Sequence, residues 1–482
     1  ELEQYGNSDY FPLHMPGHKR NPNLFHKKSL NHMYGMDITE IQGFDDLHSP
    51  EGILLQAMEE AARIYHAKAS YFLVNGSTSG ILSAISAVAK MGEHIIVARN
   101  SHKAVYHSIF LRNLLVSYVY PSYIEEYDMN GSVNPNDVAR LLEDNPHTKG
   151  VVITSPTMQG VVSDIATIAM ICHKRGVPLI VDEAHGAHFG LEEEGLSNSN
   201  ENGADLVIQS LHKTLPALTQ TAILHYNSII VAKREVERYL AIYQTSSPSY
   251  LLMGSIIRCN HLVQLEAKSR MQQLRTYAGM LEEVGTKLHC MQVVQRVQAI
   301  EANCFEYDIG KIILSVKNTS WTGKQLYDIL LEDYHLQMEL FAESYVLGIL
   351  TGYDTQEGIH RLVEALYQID KQIQSNNRQV QQWNKGERRQ EQSYLLTTPV
   401  PIKMTSYETS LYDKQIVPIR EASGGISGEY IYCYPPGIPI LVPGEVITRE
   451  RIDWILLCLV QGMNLQGLAN KEIGTISIID DK

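Results

Sequence analysis

No two of the six cysteines lie close enough to form a CxxC pair, and Cys172, Cys259, Cys290, Cys304, Cys433 and Cys458 follow no regular spacing. A disulfide framework or a structural zinc site is therefore not expected, and the six read as reduced thiols. Also missing is an unbroken apolar run of the ~20 residues that a membrane helix needs. The opening residues, ELEQYGNSDYF, carry neither a positive n-region nor an apolar h-region. No secretory signal is expected, and the cytoplasm is the expected compartment. There is no excess of positive charge: 40 Lys and Arg stand against 54 Asp and Glu, a net −14. Such a chain lacks the general attraction to nucleic acid or anionic lipid that a basic surface provides. No internal repeat is visible.

What is present is an ordinary globular composition, 44% hydrophobic and 20% charged, spread over 482 residues. That length exceeds one hydrophobic core and implies two or three domains. Residues 1–50 are polar and rich in His, Pro and Gly, and read as an arm with local loops. From 51 to 255, short apolar runs (YFLV 71–74, HIIVA 94–98, VSYVY 116–120, GVVIT 150–154, PLIVD 178–182, DLVIQ 205–209, AILH 222–225) alternate with helical patterns such as Gly52–Tyr65, Gly80–Met91 and Asn136–Glu143. Alternation of this kind implies an α/β fold with a mostly parallel sheet covered on both faces. A long helix is expected over Ile256–Glu283, leading into a smaller α/β unit up to 375 with a strand at KIILSV (311–316) and a helix over Gly358–Ile373. The polar stretch 374–392 reads as a helix end and linker. It opens a C-terminal unit (376–482) with the Pro/Gly-dense YPPGIPILVPGE at 434–445 and an apolar helix near Trp454–Val460.

Three features fall at strand ends, the edge where open α/β sheets bind ligands. Asn75-Gly-Ser-Thr-Ser-Gly80 follows a strand and opens a helix. Its amides and the Ser77, Thr78 and Ser79 hydroxyls could grip a phosphate, with the helix dipole behind them. An ordinary N-cap would look the same. Val181-Asp-Glu-Ala-His185 closes the strand PLIVD and puts the Asp182 carboxylate at a pocket floor. Asp182 could equally be a strand-end cap, or Asp182, Glu183, His185 and His188 could ligate a metal. Their spacing fits no standard zinc motif, and neighbours on a strand point to opposite faces. Ser210-Leu-His-Lys213 follows the strand DLVIQ. A lysine partly buried there would have a lowered pKa and favour imine formation, although a lone lysine is more often at the surface. Phosphate loop, then Asp, then Lys about thirty residues on is the order of fold-type-I pyridoxal-phosphate (PLP) enzymes.

The resemblance extends over nearly the whole chain. HMPGHKR (14–20), DDLHSPEG (45–52), FLVNGSTSG (72–80), RNSHKAVYHS (99–108), ITSPTMQGVVSDI (153–165), VDEAHGAH (181–188), SLHKTLPALTQ (210–220), TSSPSYLLMGS (245–255) and YPPGIPILVPGE (434–445) resemble segments of the Orn/Lys/Arg decarboxylase family, in the short form without a receiver-like wing domain. The resemblance implies an aspartate-aminotransferase-like large domain with PLP as cofactor. Lys213 resembles the Schiff-base lysine, Asp182 the partner of the pyridine nitrogen, and His102 the histidine stacked on the ring. Ser77, Thr78 and Ser79 resemble the phosphate loop, with Ser210 and His212 adding phosphate contacts and His185 near the ring oxygen. TSSPSY (245–250) resembles a segment that approaches the cofactor phosphate of a neighbouring subunit, which implies a homodimer or higher oligomer.

The implied reaction removes the α-carboxylate of a basic amino acid. Likeness to short arginine decarboxylases makes arginine, giving agmatine for polyamine synthesis, the expected substrate, with lysine and ornithine as alternatives. An aminotransferase or side-chain lyase, a non-catalytic relative and a metal-dependent hydrolase are the readings it must displace. Asp45, Asp46 and Glu421 are candidate partners for the substrate's cationic tail. Two departures stand out. Met158 or Gln159 occupies a position that is often aromatic in the family, and Gly425 one that usually holds Arg.

Overall fold

The computed structural model describes residues 9, 11–13, 17, 19, 38–41, 43–192, 194–302, 304–377, 398–433, 437–460, 462–470 and 474–480. The linker expected at 374–392 falls largely outside them, as does most of the N-terminal arm. The helix before the linker runs Gln356–Asn377.

A seven-stranded sheet forms the large unit. Its strands are β1 (Ala69–Leu73), β2 (His94–Ala98), β3 (Leu115–Val119), β4 (Val151–Thr154), β5 (Leu179–Asp182), β6 (Leu206–Ser210) and β7 (Ala222–Tyr226), in the order β1-β7-β6-β5-β4-β2-β3. All neighbours are parallel except β7, which runs antiparallel to β6 and β1. Central strands β5 and β6 are buried along their whole length. Helices on both faces exclude water from these strands, so every position is apolar or hydrogen-bonded. Helix α1 (Gly76–Val88) crosses β1 and β6 very closely. A Cβ on Gly80 would lie 2.6 Å from Leu73 and 3.1 Å from Ile208, so only glycine permits this approach.

The long helix α2 spans Tyr250–Gly285 and begins six residues ahead of the start expected from periodicity, inside the TSSPSY segment. The reason is local. Ser249 caps it by accepting the Leu252 amide, satisfying an end donor that the apolar pattern does not report. The following unit holds a four-stranded antiparallel sheet built from Gln292–Val293, Lys311–Ser315, Tyr345–Ile349 and Leu340–Phe341. The arm, expected to be loops, contributes a strand: Phe11–Leu13 pairs in parallel with Leu336–Met338. The C-terminal unit packs a helix (Arg449–Val460) on small sheets that include the strand Ile438–Leu441. Among the described residues no helix is long and apolar enough to cross a membrane.

Candidate active site

A cavity of about 330 Å³ opens at the carboxyl ends of the parallel strands. Topology brings the three sequence features together there: Asn75, Gly76, Ser77 and Thr78 beyond β1, Asp182 at the end of β5 with Ala184 and His185 beyond it, and Ser210 at the end of β6 with His212 and Lys213 beyond it all line it. So does His102, which follows β2.

Lys213 sits on the short helix Leu211–Thr214 that leaves β6. Its Nζ lies 2.9 Å from His185 Nε2. Burial lowers the Lys213 pKa, against the opposing charge of Asp182. Asp182 is itself pushed up by burial, with the Lys213 charge and the Ala184 amide pulling it back. His185 is held well below its ordinary value, first by burial and then by the Lys213 and Lys311 charges, so its ring is neutral. His102 caps the helix Lys103–Leu111: Nδ1 accepts the Ala104 amide at 3.2 Å, which leaves the ring proton on Nε2. Burial, then Lys213 and Lys103, bring its pKa to about 3. His212 donates from Nδ1 to the Thr221 carbonyl, and burial takes it to about 4.

At the other end of the cavity, α1 presents its N-terminus with no side-chain cap, because the Asn75 side-chain oxygen Oδ1 accepts the Thr245 amide instead. Gly76 takes φ +72°, and the nearest atom to a Cβ there is 3.8 Å away. Ser77 and Ser210 hydroxyls meet at 2.5 Å beside it. Ser79 departs from expectation. Its hydroxyl turns back to the Gly76 carbonyl at 2.8 Å, and its side chain does not line the cavity. A helical serine readily makes this bond to the preceding turn, leaving Ser79 only its amide to offer.

This donor set suits PLP. Amides and hydroxyls at a helix start suit a phosphate. A buried carboxylate suits a pyridinium nitrogen, and a buried amine whose pKa is lowered by burial suits a carbonyl carbon. Two buried atoms of cavity-lining residues, His185 Nδ1 and Asn100 Oδ1, have no hydrogen-bond partner among the described residues, which suits a bound group.

The residues of the alternative metal reading do not converge. Asp182 faces the cavity, while Glu183 points away, accepting from Ser199 N and Oγ (2.9 and 2.6 Å) and Gln209 Nε2 (2.6 Å). Strand alternation separates the two carboxylates. Asp45 and Asp46 are also elsewhere. Asp45 binds the amides of Asp46, Glu51, Gly52 and Leu54. Burial pushes its carboxyl up, but these four donors prevail and hold it at about 2. Asp46 accepts the His48 amide, and Glu421 is exposed on a short turn; neither lines the cavity. Met158 and Gln159 do line it, whereas Gly425 does not. Gly425 lies within the C-terminal unit, bonded through its amide to the Ala422 carbonyl.

Asn100, Asn130, Thr154, Thr157, Thr219, Gln220 and Ile438, to which the sequence alone attached no role, complete the lining together with Ile81 of α1. Asn100, Thr154, Thr157, Thr219, Gln220 and Ile438 lie within quoted segments, so the signal was there without a role attached. Two residues of the HMPGHKR segment, Gly17 and Lys19, lie outside the lining. Gly17 donates its amide to the His212 carbonyl at 2.6 Å, and a Cβ on it would lie 2.5 Å from the Leu215 nitrogen. Lys19 Nζ donates to the Ile349 carbonyl at 2.6 Å. Gly17 and Lys19 thereby tie the lysine turn to the second sheet.

Comparison with known proteins agrees with this architecture. Residues 1–319 match the Orn/Lys/Arg decarboxylase major domain, and residues 392–475 match the C-terminal domain of the same family. The arginine decarboxylase of Bacillus subtilis (strain 168) is 30% identical over 485 residues, covering 100% of this chain and 97% of its own. The structure of Francisella novicida lysine decarboxylase superposes with a TM-score of 0.78 at 16% identity, covering 95% of this chain and 76% of that one. The ureidoglycine-glyoxylate aminotransferase of Bacillus subtilis shares the fold at a TM-score of 0.55 and 14% identity, over 67% of this chain and 85% of its own. The fold is that of fold-type-I PLP enzymes, and the chain belongs to the Orn/Lys/Arg decarboxylase family of PLP-dependent amino-acid decarboxylases.

Proposed function

We propose that this protein decarboxylates L-arginine to agmatine and CO₂, in the service of polyamine synthesis in the cytoplasm. The reading is carried by full-length similarity to an arginine decarboxylase at 30% identity, joined to the lysine, carboxylate and imidazole groups gathered in one cavity. Lys213 would hold PLP by its carbonyl carbon, Asp182 its ring nitrogen, and Ser77, Thr78, Ser210 and the α1 amides its phosphate, with His102 against the ring. PLP, when bound, supplies a sink for the electron pair left on the substrate Cα as CO₂ departs.

The chain's own groups handle orientation and protons. Burial lowers the Lys213 pKa, which favours the amine as a nucleophile. Its Nζ then carries the proton returned to Cα, with His185 Nε2 at 2.9 Å as exchange partner. The cavity walls fix which bond at Cα stands in position to break, and this separates decarboxylation from transamination. The 245–250 segment lies against Asn75 through the Thr245 amide and suits a role at a subunit boundary, so we place a second copy of the chain there.

An absorption spectrum of purified protein tests the reading. Arginine, lysine and ornithine are added separately, CO₂ is measured, and Lys213→Ala runs alongside. A visible band that the variant lacks, perturbed by arginine with CO₂ release, is expected. Perturbation by lysine or ornithine alone would reassign the substrate. A protein left colourless by added PLP would overturn the proposal.

A further inference from the structure

Outside the cavity, a buried ion pair joins the second sheet to the catalytic loop. Lys311, the first residue of its strand, is fully buried and donates from Nζ to Asp308 Oδ2 at 2.9 Å. The same Nζ reaches the His185 carbonyl at 3.4 Å. The other Asp308 oxygen lies 3.1 Å from His188 Nε2. One ion pair thus touches both ends of the His185-Gly-Ala-His188 turn. It also holds a second wall of the cavity. Asp308 donates its amide to the Gly160 carbonyl at 2.8 Å, closing the turn that carries Met158 and Gln159. Gly160 has φ +98°, and a Cβ on it would lie 2.8 Å from the Lys311 side chain, so the two turns are packed without slack. Neither Asp308 nor Lys311 lines the cavity itself.

We propose that the Asp308–Lys311 turn is a positioning clamp, which sets His185 against Lys213 and the Met158–Gln159 wall against the substrate. This rests on the proposed roles of Lys213 and His185. A lysine buried among apolar side chains is costly unless its charge is fully used, and a plain join between two units would be served as well by apolar packing. The clamp uses the charge at both ends of one short loop. Lys311 also lies near enough to help depress Lys213 and His185, in each case after burial.

Lys311→Met, His188→Gln and the double variant test this in the PLP-loaded enzyme, with the basic amino acid that the wild type consumes. Misplacing a reacting group by about 1 Å costs roughly a hundredfold, so Lys311→Met should lower kcat on that scale while KM stays within about twofold. His188→Gln should lower kcat too, and the double variant should be no worse than Lys311→Met, because both loosen one loop. A second readout needs no turnover: the pH midpoint for acetylation of Lys213 in protein stripped of PLP, followed by mass spectrometry. The charged and titratable groups facing that amine are Asp182, His185, His102, His212, Glu339 and Lys311. Loss of the Lys311 cation should move the midpoint upward. Folded Lys311→Met with wild-type kcat, losses that multiply in the double variant, or an unmoved midpoint would each overturn the clamp. If Lys311→Met does not fold, His188→Gln decides: a kcat loss at constant KM supports the clamp and an unchanged kcat refutes it. If the wild type consumes no basic amino acid, the functional reading fails, and the Lys213 midpoint alone decides, for the clamp if it rises and against it if it stays.

Discussion

Replacing Glu445 with alanine will strand buried cations where the C-terminal unit meets the catalytic sheet. Glu445 Oε2 lies 3.1 Å from Arg99 Nη2, and the two side chains are 1% and 4% exposed. Arg99 also donates to the carbonyls of Pro439 and Ile440 at 2.7 and 3.4 Å. Arg451 is buried nearby, and burial followed by the Arg99 charge brings it down to about 10. Removing one partner of a buried pair costs about 3–5 kcal/mol, because the other charge stays behind without compensation. Glu445 also accepts the Val442 amide at 3.0 Å, whose loss adds about 1 kcal/mol. Replacing both partners, as in Arg99→Met with Glu445→Leu, should recover most of that loss, since an apolar pair of similar volume is close to neutral. Hydrogen–deuterium exchange of peptides spanning Ile438–Leu441 reads the effect where it falls. Glu445→Ala should lose protection there first. The loss should reach catalysis, because Ile438 lines the cavity and the Lys103 amide donates to the Gly437 carbonyl at 3.1 Å. A single variant as well protected as wild type, or a double variant worse than the single, would refute the reasoning.

Asp182→Asn should keep the fold and lower kcat by roughly a hundred- to thousandfold, the scale of losing one preorganised electrostatic partner, as steady-state kinetics would show. Gly17→Ala drives a methyl group into the Leu215 backbone and should cost about 1–3 kcal/mol in urea unfolding, with a matching fall in Lys213-dependent activity. The stability of protein stripped of PLP should rise with pH between about 4.5 and 6.5. Burial lowers His102 and His225 from an ordinary 6.5 to about 3 and His212 to about 4, so the unfolded chain binds their protons first and the stability they carry drains away as pH falls. Glu183, raised by burial from 4.5 to about 7, acts in the opposite sense, and its contribution is lost as pH climbs through 7. His185, held well below 6.5, joins the three imidazoles, and Asp182, Asp354 and Glu429, raised by burial, join Glu183. The imidazoles' ordinary 6.5 lies inside the span from pH 5 to pH 7 while the carboxyls' ordinary values lie below it, so urea midpoints should be lower at pH 5 than at pH 7; an equal or higher midpoint at pH 5 would contradict this.

The strands were legible because parallel strands covered on both faces must be apolar runs, and HIIVA, VVIT and LIVD are such runs. The chemistry at their ends was legible too, because Asp182 and Ser210 are the last residues of their strands and the Asn75–Gly80 loop lies just past another, and strand ends of a parallel sheet share an edge. The direction of β7 was not legible, since AILHY is apolar in either orientation and only pairing with β6 and β1 fixes it. Local sequence also could not say that Ser79 would satisfy its own helix, or that Asp45 would cap a loop instead of meeting a substrate. Those outcomes depend on which donors the folded backbone leaves unpaired.

By itself, then, the sequence determined the order of the elements and the residue types delivered to one sheet edge, because burial and backbone periodicity act over a few residues. Only the tertiary structure decided that Ile438 from the C-terminal unit would wall the cavity, that Arg99 and Glu445 would hold it there, and that Asp308 and Lys311 would grip the loop of His185. The partners of those contacts are more than a hundred residues apart, and no local pattern carries a pairing that forms only when separate units pack together.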